Sequence, residues 1–105
     1  MKPAADLASM AELRMAIDHV DRAIVDLLAR RTDYIDRAIA LKPGEGMQAR
    51  IPERVEQVVA NVRARAAQVA LDPDLVEMMW RGLIDWSIRR EERILGPTPN
   101  EREER

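Results

Sequence analysis

From Met10 to Lys42 the chain carries neither glycine nor proline, and apolar residues recur at Met10, Leu13, Ile17, Val20, Ile24, Leu27, Tyr34, Ala38 and Leu41. Alternating steps of three and four residues are the pattern of one amphipathic helix, and Arg31 alone breaks the stripe. At 1.5 Å per residue the segment spans roughly 50 Å, whereas a compact chain of this size has a radius of gyration of about 13 Å. Such a helix must protrude, and its seam would lie in water unless a second copy covered it. The expected assembly is therefore a homodimer with the long first helices packed together. Its start is marked by Ser9-Met10-Ala11-Glu12, a capping box in which serine and glutamate each satisfy an amide of the first turn.

Two shorter helical patterns follow. Pro43-Gly44-Glu45-Gly46 ends the first helix and opens a mobile crossing to Ile51. Pro52, whose missing amide costs nothing at a first helical position, begins a second helix repeating Val55, Val58, Val62, Ala66 and Val69, with Leu71 closing it. Asp72-Pro73 is an N-cap followed by proline, and the third helix carries Val76, Trp80, Leu83, Ser87 and Ile94 up to Gly96-Pro97. No strand pattern appears, so the fold class is all-α, a three-helix subunit. The 105 residues form one domain, with its core at about 9–96 and a charged, disordered tail from 97 to 105.

Composition enters mainly through what it excludes. Seventeen Lys and Arg against nineteen Asp and Glu leave a net charge of -2, which argues against nucleic acid and anionic membrane as partners. The absence of cysteine and the single histidine, His19, exclude a disulfide scaffold, a thiol nucleophile and a Cys- or His-clustered metal site. Metal-free, cofactor-free chemistry or pure binding remains. The start has no apolar run long enough for a signal peptide, and no stretch of about 18 uncharged apolar residues occurs, so a cytoplasmic location is expected.

Candidate functional residues are the polar ones that interrupt apolar positions, because an unpaired buried charge is expensive. Arg31 holds a seam position, and Lys42 lies about 20 degrees round the helix from it and roughly 16 Å along the axis, so both cations face one way and reach the two ends of a small anion. The alternative is that Arg31 pairs with a carboxylate across the dimer while Lys42 is solvated. Arg14 is about 100 degrees round and some 25 Å from Arg31, so a shared site requires Arg14 from the partner chain; otherwise it is a surface arginine. Arg54 stands in the first turn of the second helix, where the amide-rich helix end favours an anion, with a surface pair to Glu53 or Glu56 as the alternative. Ser87 is one of two serines and sits on the seam; Glu91 points to the same side one turn later. Together they offer a hydroxyl and a carboxyl to an enclosed space, unless Glu91 pairs within Arg89-Arg90-Glu91-Glu92-Arg93.

As a set, Leu13-Arg14, Asp18, Asp21, Leu27-Leu28-Ala29-Arg30-Arg31 and Lys42 resemble the long first helix of the all-helical chorismate mutases. Pro52-Glu53-Arg54 and Ser87-Ile88-Arg89-Arg90-Glu91 resemble their second and third helices, so the likeness spans about residues 9 to 95. The resemblance implies an intertwined homodimer with two equivalent sites, each completed by Arg14 from the other chain. Arg14 and Arg31 then hold the two carboxylates of chorismate or a relative, Lys42 a carboxylate and the ether oxygen, and Arg54 a carboxylate or nearby hydroxyl. Many family members carry at position 91 a glutamine that donates to the ether oxygen; Glu91 must be protonated to do so.

Two positions depart from the mutase pattern. Ile51 and Val55 stand where mutases commonly place an acid and a hydroxyl-binding glutamate. Apolar residues there are similar to the isochorismate-pyruvate lyase branch of the same fold, as are Asp33-Tyr34 and Pro52-Glu53-Arg54-Val55. The expected function is a chorismate mutase of aromatic amino acid biosynthesis. The lyase, which makes salicylate and pyruvate, is the alternative, and an amino-substituted chorismate is a third possible substrate. A non-catalytic helical dimerisation or ligand-sensing module fits the seams equally well.

Overall fold

The computed structural model describes residues 2–96; the expected disordered tail lies outside the described residues. Every regular element among them is helical. A short 3₁₀ turn, Ala4–Asp6, precedes α1, Met10–Leu41; α2 covers Pro52–Gln68 and α3 covers Pro73–Leu95, with a second 3₁₀ turn at Pro43–Glu45. By their contacts the residues divide into two compact units, one ending at Tyr34 within α1 and the other beginning at Ile35.

The first unit holds the beginning of α1. Ser9 Oγ accepts from the Glu12 amide at 3.1 Å, as the capping box requires, but Glu12 accepts from the amide of Ala8 rather than that of Ser9, at 3.0 Å. Both side chains satisfy amides at the helix entrance, so the expected start is kept with one partner shifted. Along this stretch Met10, Ile17, Val20, Ile24, Leu27 and Tyr34 are exposed in the single chain. They are the stripe that the spacing assigns to a second copy.

The second unit contains the end of α1, the crossing, α2 and α3. Helix α1 stops at Leu41, one residue before the expected end. Lys42 begins the 3₁₀ turn, where Pro43 can supply no amide, and Gly46 takes a left-handed φ of 69° that lets the Met47 amide reach the Lys42 carbonyl at 2.9 Å. Helix α2 begins at Pro52 as its sequence requires, with the Ile51 carbonyl accepting from Arg54 and Val55. It ends at Gln68 rather than Leu71. The reason is Ala70, which turns left-handed at φ 58° and directs the Leu71 amide back to the Ala66 carbonyl, ending the helical ladder early. The Asp72 carboxylate caps the Asp74 amide at 2.9 Å to start α3, and Gly96, at φ 85°, ends it.

Helices α2 and α3 pack as an antiparallel hairpin. Arg63 of α2 pairs with Asp74 and Glu77 of α3, and Arg81, further along α3, returns to Glu56 near the start of α2. Between the helices lie Val59, Ile84 and Ile88 with Ala49 of the crossing, flanked by Val55, Val58, Trp80 and Leu95. Burying an aliphatic side chain of this size contributes about 1.5–3 kcal/mol, and this small cluster is what fixes the face of α3 that carries Ser87 and Glu91.

Candidate active site

Two charged residues are brought together by this packing. Lys42 stands where proline stops α1, and Glu91 lies on the buried face of α3, the side shared with Ile84 and Ile88. Lys42 Nζ is 2.7 Å from Glu91 Oε1, with their side chains 16% and 5% exposed, and it donates to the Ala49 carbonyl at 2.8 Å. The bland alternative for Glu91, a pair inside its own charge run, is not what the structure shows. Glu91 Oε1 meets the ammonium as a close charge contact whose angles fall outside hydrogen-bond geometry, so this buried acceptor has no aligned donor. A cation and a carboxyl thus face one enclosed point.

Ser87, one turn before Glu91, is 2% exposed, and its hydroxyl donates to the Leu83 carbonyl at 2.8 Å. A serine inside a helix has the carbonyl four residues back within reach, and that bond holds Oγ in place. Arg54 is exposed and donates to Gln57 at 2.7 Å, rather than pairing with Glu53 or Glu56; Glu56 is instead taken by Arg81. Arg14 and Arg31 belong to the first unit, Arg14 exposed and Arg31 half-buried. Burial pushes the Arg31 guanidinium down from its ordinary value, yet a guanidinium keeps its proton in proteins.

Three features were not legible in the sequence. Asp36, on the last turns of α1, accepts two hydrogen bonds from Arg90 of α3, at 2.6 and 3.0 Å, and the Arg90 guanidinium lies 5.6 Å from the centre of the Trp86 ring. The Ala49 carbonyl serves as a ligand of Lys42. Arg50 pairs with Asp85 at 3.1 Å. Nothing local separates Asp36 or Arg90 from other charged helix residues; only the packing of α1 against α3 selects them. A cleft of about 180 Å³ lies elsewhere, where Pro52, Val55 and Ile84 are flanked by the Arg50–Asp85 and Arg81–Glu56 pairs. Neither Lys42 nor Glu91 lines it, and its charges are already matched, so the chemistry favours the Lys42 site. Among the described residues no group of acidic or histidine side chains is arranged to hold a metal ion, and no helix is long and apolar enough to cross a membrane.

Comparison with known proteins adds a family. The family model for chorismate mutase type II matches residues 13–92. The isochorismate pyruvate lyase of Pseudomonas aeruginosa is 35% identical over 88 residues, covering 84% of this chain and 86% of that protein. The T-protein of Enterobacter agglomerans is 35% identical over 75 residues, which are 71% of this chain but 20% of the T-protein, so the chain spans about a fifth of that relative.

Proposed function

We infer the activity from one premise: the chain belongs to the chorismate mutase type II family. We propose that it rearranges chorismate to prephenate. The observation that carries this reading is the buried Lys42–Glu91 pair, because the two groups that the family resemblance assigns to the substrate's ether oxygen face the same point, 2.7 Å apart.

In this reading Arg31 and Arg14 bind the two substrate carboxylates, with Arg14 supplied by a second copy of the chain. The exposed apolar stripe of α1 supports that dimer. Lys42 holds a carboxylate and the ether oxygen, Arg54 a carboxylate or hydroxyl, and Ser87 contacts the substrate through Oγ. Glu91, which faces the ammonium of Lys42 in the free chain, must take up a proton as substrate binds to donate to the ether oxygen. The reaction breaks the ether C–O bond as a C–C bond forms in one cyclic movement of electrons, so neither a nucleophile nor a metal is needed. Clamping both carboxylates selects the folded conformer of a flexible enol-pyruvyl ether, an effect that reaches roughly 7 kcal/mol or more. Each preorganised donor to the oxygen as negative charge grows there is worth about 3–4 kcal/mol. Both act on the transition state more than on the bound substrate.

A second reading, cleavage of isochorismate to salicylate and pyruvate, is favoured by Ile51 and Val55. Both are apolar and half-buried at positions where the family resemblance puts acidic residues in mutases. The near full-length match to the Pseudomonas lyase points the same way. Incubating the protein with chorismate and, separately, with isochorismate decides between them: prephenate marks the mutase, salicylate plus pyruvate the lyase. In either case Lys42→Ala should lower kcat more than it raises KM, and an unaffected rate would remove Lys42 from the mechanism.

A further inference from the structure

Among the described residues two ion pairs join the end of α1 and the turn after it to α3, and they differ in kind. Lys42–Glu91 is buried and belongs to the site; Asp36–Arg90 is nearly half exposed and bidentate, with Arg90 lying over the Trp86 ring one turn back on its own helix. The two anchor points, Asp36 in α1 and Lys42 just past its end, are six positions apart, which at helical geometry is about 9 Å along the axis and roughly 120 degrees round it. On α3 they are consecutive residues, Arg90 and Glu91, whose side chains leave the helix about 100 degrees apart. A single pair would leave the end of α1 free to turn about it. The second attachment, on another side of both helices, fixes the rotation and axial position of α1 against α3, and with them the direction from which Lys42 reaches Glu91. The planar fork of the guanidinium on a carboxylate transmits orientation in a way that a point charge does not.

We propose that Asp36 and Arg90 are positioning residues for Lys42 and Glu91, holding the two catalytic groups at their mutual distance without touching the substrate. The proposal rests on the reading of Lys42 and Glu91 as the reactive pair. A surface pair with no such role would contribute little when removed. Displacements of about 1 Å at a reacting centre, by contrast, cost up to about a hundredfold in rate.

The chain has two lysines, Lys2 and Lys42, which supplies a readout independent of turnover. Acetylation by excess acetic anhydride, followed by peptide mass spectrometry, gives the reactivity of Lys42 with Lys2 as internal reference. In Asp36→Asn and Arg90→Gln, Lys42 should react severalfold faster than in the wild-type chain, kcat should fall about tenfold, and KM should stay within about twofold. Arg90→Lys, which keeps the charge and loses the fork, should resemble Arg90→Gln. The exchanged pair Asp36→Arg/Arg90→Asp should restore both Lys42 protection and most of kcat. Unchanged Lys42 reactivity with unchanged kcat in folded single variants overturns the proposal, and so does full activity of Arg90→Lys beside a disabled Arg90→Gln. If the wild-type chain turns over neither substrate while the variants still unmask Lys42, the functional reading fails and the positioning geometry stands.

Discussion

Replacing Lys42 by methionine tests whether its pair with Glu91 is truly buried. The substitution keeps an apolar stem of similar length but removes the cation 2.7 Å from Glu91 Oε1 and the donor 2.8 Å from the Ala49 carbonyl. A charge left in a dry site without its partner has lost both water and counter-ion, and the usual cost is about 3–5 kcal/mol; since Lys42 is 16% exposed, the lower end, about 3 kcal/mol, applies. The lost bond to Ala49 adds about 1 kcal/mol, for a total near 4 kcal/mol. Glu91→Gln keeps the shape and leaves Lys42 its carbonyl and some water, so about 1 kcal/mol is expected. The double variant Lys42→Met/Glu91→Gln leaves no stranded charge and should be more stable than Lys42→Met alone by about 2 kcal/mol; with the single costs of about 4 and about 1 kcal/mol this is a coupling of about 3 kcal/mol, at the upper end of what contacting residues show. Urea unfolding near pH 7, followed by helical circular dichroism at one fixed protein concentration, measures all four proteins. A Lys42→Met chain that unfolds at the wild-type urea concentration refutes the argument, and so does a double variant less stable than that single one.

Four other expectations follow from named residues. Arg31→Ala should abolish turnover while leaving the helical content intact; a binding or dimerisation module would instead show equal or higher stability and no lost activity, and initial rates beside circular dichroism separate the two. If Glu91 serves as a donor to the ether oxygen, Glu91→Gln, which keeps an N–H donor there, should retain turnover and Glu91→Ala should lose it; equal rates in the two variants count against that role. Hydrogen bonds from Arg90 hold the Asp36 carboxyl below the usual range, and hydrogen bonds from Arg81 do the same for Glu56 and Glu77. The folded state therefore binds fewer protons than the unfolded chain, and this stabilisation is present above the unfolded values near pH 4 and lost as pH falls through the lower folded ones. Arg81→Gln should make stability less steep between about pH 5 and 3, which urea midpoints across that range will check. Ala70→Gly should relieve about 1 kcal/mol of left-handed strain against a somewhat smaller unfolded-state entropy cost, for a rise in Tm of a degree or two; a fall would show that Ala70 is not strained.

The sequence by itself determined the helices and most of their ends. Ser9, Pro43, Pro52, Asp72-Pro73 and Gly96 act through bonds and clashes with residues a few positions away, so their effect is written locally. The same locality explains the misplaced end of α2: the left-handed turn falls on Ala70, a residue type that gives no sign of it. Lys42, Ser87 and Glu91 could be singled out because polar groups interrupt apolar spacing or follow it at helical intervals. Which charge meets which was decided only by tertiary structure. Within Arg89-Arg90-Glu91-Glu92-Arg93 several local pairings are open and close in energy, and the packing of α1 against α3 turns Glu91 inward to Lys42 and Arg90 outward to Asp36. Coulomb attraction has no memory of chain order; burial sets its strength, and burial is a property of the folded chain.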